Sequence, residues 1–358
     1  MHFLESFHRE IPLSGIVSFL VSLLIIKTQR WHGVHSHDSD DGPQKFHIHP
    51  TPRIGGIAIL SALLVALVFA SDPASHLLGL MLLAGTFSFA SGLCEDITKR
   101  VSVSKRLLAT MLSGFAAWML TGYTITHLDI PGVDSLLLSL PFSVLFTAFA
   151  VAGVANAINV IDGFNGLASG TLILSFLSLG LIAYEVGDRT LVELCLTISV
   201  VIGGFMLFNF PFGKLFLGDG GAYLLGFLLA CVAVMLPHRN PDVSPWASLL
   251  ACAYPINETL FTIVRRLYRG DSLSLPDSLH LHSLVKIKIV RFHFTSLPPY
   301  MRNSAVAPFC WMYAGIVSSA GAVFYDHTQL LVVAWCGSFA LYGIVYALLS
   351  RNKGCASA

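Results

Sequence analysis

The sequence predicts an all-α, polytopic integral membrane protein with about eleven transmembrane helices, its N-terminus outside and its C-terminus inside. Three observations lead there. Of 358 residues, 55% are hydrophobic and only 11% charged, with a mean hydropathy of +0.74, against about 25% charged in an ordinary soluble domain. Apolar runs long enough to cross a bilayer recur along the chain with no polar block between them, so residues 1–358 read as one membrane domain. Lysine and arginine also segregate sharply between alternate loops.

A window of ~20 residues places spans beginning near Ile11, Ile54, Ser75, Lys105, Leu136, Gly166, Thr190, Gly220, Trp246, Asn303 and Thr328. The first run is followed by another span rather than a small-residue cleavage site, and reads as a retained helix, not a signal peptide. The seventh is interrupted by Gly203-Gly204, which suits close packing on a neighbour. Loops after odd-numbered spans, with the C-terminal tail, hold all but three of the 21 Lys and Arg; Arg9, Arg189 and Arg239 lie on the other side. The positive-inside rule sets the orientation from that asymmetry. A net charge of +1 without a basic stripe excludes nucleic acid as a partner. The seven cysteines show no CxxC spacing and read as small buried hydrophobes.

Two glycine-rich polar islands interrupt this apolar text: Asn156-Ala-Ile-Asn-Val-Ile-Asp-Gly-Phe-Asn-Gly-Leu-Ala168 and Phe216-Leu-Gly-Asp-Gly-Gly221. Ionisable groups at membrane depth are costly and by default functional. Both islands fall on the cytoplasmic face. Three further segments join them: the histidine-bearing loop from Lys27 to Arg53, which ends in Pro-Arg-Ile-Gly-Gly; Glu95-Asp96 with Lys99-Arg100; and Asp277 with His280-Leu-His282. Carboxylates beside water suit Mg²⁺, and Lys or Arg beside them suit a phosphate ligand. A diphosphate held by metal on a membrane enzyme matches these residue types.

The order Asn-Ala-x-Asn-x-x-Asp-Gly-x-x-Gly-Leu, Phe-x-Gly-Asp-x-Gly and His-x-His resembles the polyprenyl-phosphate N-acetylhexosamine-1-phosphate transferases. That family starts O-antigen, enterobacterial common antigen and teichoic acid linkage units, with the phospho-N-acetylmuramoyl-pentapeptide transferases as relatives. The resemblance spans roughly Pro50 to Arg291. It implies a bacterial inner-membrane enzyme with a periplasmic N-terminus and a cytoplasmic site, transferring a sugar-1-phosphate from a UDP-N-acetylhexosamine to a polyprenyl phosphate such as undecaprenyl phosphate, with release of UMP. It implies Mg²⁺, with Mn²⁺ as an alternative, membrane lipids as surroundings, and a homodimer as an optional assembly.

Residue by residue, the resemblance makes Asp219 the metal ligand and Asp96, Glu95, Asp162, His280 and His282 catalytic. It assigns Asn156, Asn159, Asn165, Asn209, Phe216, Arg53 and Lys99 to substrate. Glu95 stands for the first Asp of an Asp-Asp pair, Asn165 for the second Asp of Asp-Gly-x-Asp-Gly, and Ser283 for a third histidine. The His-x-His form lies closer to the branch that takes simple amino sugars than to the pentapeptide branch.

The residues also carry plainer expectations. Glu258, inside the ninth span, is expected to partner a cytoplasmic Arg or Lys. Arg265, Arg266 and Arg269 read first as a topological anchor and second as a phosphate patch. His32, His35 and His37 read as a solvated loop rather than a metal site. Two other functions stay open: a catalytically silent relative serving as a binding subunit, for which Asn165 and Ser283 speak, and a secondary transporter. A transporter should show related halves and midplane charges; the islands do not repeat, and they gather at one face.

Overall fold

The computed structural model describes residues 10–36, 51–272, 277 and 279–351. Every extended secondary-structure element among the described residues is a helix. Its principal helices are α1 (Glu10–Ser36), α2 (Gly55–Phe69), α3 (Asp72–Ala84), α4 (Thr86–Thr98), α5 (Val103–Thr121), α6 (Leu140–Ile161) and α7 (Leu167–Glu185). They continue as α8 (Arg189–Asn209), α9 (Gly218–Arg239), α10 (Pro245–Ala251), α11 (Ala253–Arg269), α12 (Leu281–Val285), α13 (Ala307–Val323) and α14 (Thr328–Arg351).

All eleven apolar segments read from the sequence are helical. Among the described residues, 7 helices are long and apolar enough to cross a membrane singly, and up to 9 spans result if each bent pair counts as one. The chain is thus a multi-pass membrane protein. The two segments that fall short are α2, only 15 residues, and α5, whose first turns carry Lys105 and Arg106. The loop expected from Lys27 is helical as far as Ser36. There the His32 ring nitrogens face Ser36 Oγ at 2.6 Å and the Ile25 carbonyl at 3.0 Å; the side chain of His35, and His37, His47 and His49, lie outside the described residues.

Two spans are broken rather than straight. α3 and α4 meet at 52° around Gly85, a residue that holds helix poorly. α10 and α11 meet at 82°. Pro255 explains the second break: it has no N–H, and its ring collides with the carbonyl four residues back, at Ala251, where α10 ends. Beyond the break, α11 buries Tyr254, Asn257 and Glu258 and exposes Leu260, Ile263, Val264 and Leu267.

The most deeply buried of the long helices is α9. It packs on α2, α4, α6 and α7, while α8 bridges α1 and α7. Glycine makes a close crossing of α4 and α9 possible: a Cβ on Gly92 of α4 would lie 2.5 Å from the Asp219 carbonyl oxygen of α9. At the other end of α9, Arg239 grips Asp188, the N-cap of α8, through Nε at 2.6 Å and Nη2 at 2.9 Å.

Gly92→Val is therefore expected to lower stability by about 3 kcal/mol, the upper end for overpacking, because the obstruction is backbone. Thermal unfolding of the detergent-purified variant measures this. A melting temperature equal to wild type would show that α4 and α9 can separate without loss.

Candidate active site

The site forms where a short extended piece is clipped onto the start of α9. The Phe216 N–H donates to the Pro52 carbonyl, and the Gly55 N–H to the Phe216 carbonyl, both at 2.9 Å; the Gly56 N–H donates to Leu217 at the same distance. Gly218 turns the chain into α9 with φ +74°, and a Cβ there would collide with the Arg53 carbonyl. Only glycine suits both demands. The clip holds Arg53 over the first turn of α9.

Asp96, from the end of α4, caps that turn. Its Oδ1 accepts the Asp219 N–H at 2.9 Å and its Oδ2 the Gly220 N–H at 2.8 Å. A carboxylate at the positive end of a helix satisfies otherwise orphaned donors and complements the helix dipole. Arg53 then bridges the two acids, with Nε 3.1 Å from Asp96 Oδ1 and Nη2 3.0 Å from Asp219 Oδ1. Arg106 pairs with the other oxygen of Asp219. Asn159 Nδ2 donates to Asp219 Oδ1 at 3.0 Å, which joins the two polar islands directly. The network extends outward: the Arg106 guanidinium lies 5.6 Å from the Tyr223 ring centroid, and the Tyr223 hydroxyl donates to Asn156 Oδ1 at 3.1 Å.

Asp162 ends α6 and keeps partial exposure. Burial around its carboxyl pushes it well above the usual carboxylate range, against the opposing charge of Arg53; Asp96 raises it further, and the Gly218 amide lowers it. Three acidic side chains and two guanidinium groups thus gather at this end of the bundle, with burial favouring the neutral acid at Asp162.

Glu258 and the two histidines form a second, adjoining cluster. His280 precedes α12 in extended conformation and His282 lies in its first turn. The rings stack at 5.1 Å with 16° between planes. His280 Nδ1 is 3.1 Å from Glu258 Oε1, and His282 Nδ1 is 3.4 Å from Oε2, an ion-pair distance rather than a short hydrogen bond. Burial lowers the His282 imidazole, with Glu258 working the other way. The His282 ring meets Phe164 edge-on at 5.3 Å, two residues from Asp162. That contact is the link between the clusters: among the described residues, neither imidazole hydrogen-bonds to Asp96, Asp162 or Asp219.

Several readings from the sequence change here. Glu258 partners two histidines, not an Arg or Lys, because the break at Pro255 turns it toward α12. The Glu95 carboxylate accepts the Val101 N–H at 2.6 Å and ties down the turn after α4. Asn209 is spent inside the protein: Oδ1 accepts from the Gly166 N–H at 2.7 Å and Nδ2 donates to the Leu215 carbonyl at 2.9 Å. Asn165 is likewise buried, 3.3 Å from the Asn303 amide and 3.4 Å from both Ser304 Oγ and the Pro211 carbonyl. Both amides are thus hydrogen-bonded within the protein and tie neighbouring loops together. Phe216 acts through its backbone in the clip, and Lys99 Nζ donates to the Asp96 carbonyl at 2.6 Å from an exposed position at the rim. Arg265 pairs with Asp277. Sequence reading missed Arg106 as a site residue, although a cation one turn into an apolar helix is a signal in itself.

The profile of glycosyl transferase family 4 matches residues 77–237, the stretch carrying Asp96, Asp162 and Asp219. The decaprenyl-phosphate N-acetylglucosaminephosphotransferase of Mycobacterium leprae is 30% identical over 308 residues, covering 76% of each chain. The undecaprenyl-phosphate alpha-N-acetylglucosaminyl 1-phosphate transferase of Yersinia pestis is 28% identical over 306 residues, 84% of this chain and 81% of that protein. The phospho-N-acetylmuramoyl-pentapeptide-transferase of Clostridium perfringens is 29% identical over 238 residues, 63% of this chain and 74% of its own. With the paired polar islands joined at Asp219 and relatives matched over most of their length, the chain belongs to glycosyl transferase family 4, among the polyprenyl-phosphate N-acetylhexosamine-1-phosphate transferases.

Proposed function

We propose that this protein transfers a sugar-1-phosphate from a UDP-N-acetylhexosamine to a polyprenyl phosphate, releasing UMP. The observation that carries the reading is the Asp96–Arg53–Asp219–Arg106 network at the start of α9, a concentrated mixture of carboxylates and guanidinium groups at one end of an apolar bundle. An oxygen of the lipid phosphate attacks the β-phosphorus of the donor. A new O–P bond forms, the bond from the β-phosphorus to the oxygen bridging to the α-phosphorus breaks, and UMP leaves with that oxygen and its electron pair. A phosphate monoester is largely ionised near neutral pH, with a second pKa of about 6, so the attack demands no base.

Among the described residues, no three His, Cys, Asp or Glu side chains converge as a preformed metal cage. That donor set still matches Mg²⁺, which usually takes one or two carboxylates and completes its shell with water and substrate phosphates. Asp219 would hold it. When bound, the ion neutralises charge on the diphosphate. The chain's own residues do the rest. Arg53 and Arg106, paired with Asp219 as the protein stands, are placed to turn toward phosphate oxygens; Asn159 keeps the carboxylate in position, and Tyr223, hydrogen-bonded to Asn156, backs Arg106. Catalysis of this kind is mostly positioning and fixed charge. The apolar outer face of α11 lies beside the site and suits an isoprenoid chain in the bilayer.

The site would face the cytoplasm, where nucleotide sugars are made, in the inner membrane of a bacterium, with eleven spans and the N-terminus periplasmic. The expected donor is UDP-N-acetylglucosamine or a 6-deoxy relative. Purified protein with Mg²⁺, undecaprenyl phosphate and a panel of UDP-sugars tests this by UMP release. Turnover is expected with the simple amino sugars and none with UDP-N-acetylmuramoyl-pentapeptide. Efficient use of the pentapeptide donor would move the chain to the peptidoglycan branch, and release of UMP from no donor would overturn the reading.

A further inference from the structure

We infer that Glu258 is a positioning residue for the reaction: it hydrogen-bonds Nδ1 of His280 and pairs electrostatically with Nδ1 of His282, so that both Nε2 atoms are presented together to the anionic substrate. The inference rests on the transferase reading above and adds the means by which the two histidines act.

Glu258 is fully buried, one turn beyond the break between α10 and α11. A lone carboxylate there would be costly, and such a group is kept only with partners. Its Oε1 accepts the Leu281 N–H at 3.1 Å and faces His280 Nδ1 at 3.1 Å, while its Oε2 lies 3.4 Å from His282 Nδ1, close enough for charge pairing but without hydrogen-bond geometry. A carboxylate accepts and does not donate, so Nδ1 of His280 carries the proton, and the nearby charge of Glu258 favours the same tautomer in His282. Nε2 sits on the opposite edge of an imidazole, and the rings are stacked nearly parallel, so both Nε2 atoms leave Glu258 on the same side. In the neutral ring that nitrogen only accepts; it donates to a phosphate oxygen only when the ring is doubly protonated. Burial works against that form in His282; the negative charge of Glu258 favours it, and an anionic diphosphate favours it further. The other ionisable groups around the cluster are Asp277, itself paired with Arg265, and Tyr254, Tyr313, Tyr342 and Cys310. Of these only Asp277 adds negative charge, and Arg265 offsets it, so Glu258 sets the local balance.

Glu258→Gln keeps the volume and removes the charge. Loss of the carboxylate behind a metal-bound imidazole typically costs ~10–100-fold, and a fall in kcat of comparable size is expected for this pair. The alkaline limb of kcat against pH should also move down by at least about one unit, the size of shift an adjacent opposite charge produces. Glu258→Asp should recover part of both. An unchanged kcat and limb would overturn the inference; a fall in kcat with an unmoved limb would make Glu258 merely structural and overturn it too. Should Glu258→Gln fail to fold, nitrogen NMR of histidine-labelled wild type, assigned by difference against His280→Asn and His282→Asn, decides instead. Both rings are expected as Nδ1–H, and bare Nδ1 in the two rings would contradict it. Wild type that releases no UMP would sink the transferase reading alone, since the NMR measurement needs no turnover.

Discussion

Asp219→Asn is expected to reduce kcat/KM by on the order of 10³-fold while the protein stays folded in the membrane. Removing one fixed electrostatic group from a transition state costs roughly that much. Here the loss falls on the group that orients Arg53, Arg106 and Asn159 together. The asparagine keeps the volume and can still accept from Asn159. Both arginines retain some exposure, 21% and 11% of their side chains, so water can relieve the unpaired guanidinium groups. Turnover at limiting Mg²⁺ measures the effect. Near wild-type activity there would remove Asp219 from the role of ligand.

Asp96→Asn should be as severe for activity but for another reason, with a different signature. Asp96 is only 1% exposed, and both of its oxygens accept amides from the first turn of α9. An asparagine can serve one of those amides; its NH₂ then opposes the other donor and also loses charge against Arg53. An unsatisfied buried donor costs ~1–3 kcal/mol. Asp96→Asn is therefore expected to lower the melting temperature as well as kcat, whereas Asp219→Asn lowers kcat alone. Its neighbour supplies the contrast: Glu95→Gln touches only the Val101 turn and should stay within about twofold of wild type. If Asp96→Asn were inactive with an unaltered melting temperature, its role would be chemical rather than that of a helix cap.

The membrane class, the helical segments and the meeting of the two islands were all legible in the sequence, because each rests on a local property. Twenty apolar residues are a span wherever they occur, and an acid among glycines at a span's end is costly whatever its partner. What the sequence hid were properties of partnership. Glu258 reads as a buried acid that needs a cation, but nothing local says that Pro255 will turn it toward residues 22 and 24 positions on. Asn165 and Asn209 have the composition of ligand-facing amides, and nothing local announces their hydrogen bonds to Asn303, Ser304, Gly166 and Leu215. Arg106 counted toward membrane orientation by its place near a loop, and only the packing of α5 beside α9 brings it to Asp219.

The central claim is that the β-phosphoryl group travels with the sugar. Donor labelled with ³²P at the β-phosphorus, incubated with the purified protein, Mg²⁺ and undecaprenyl phosphate, follows that group directly. The account predicts label in the extracted lipid, appearing in step with unlabelled UMP. Label remaining in an aqueous nucleotide while sugar enters the lipid would mean that the sugar alone is transferred, and would contradict it.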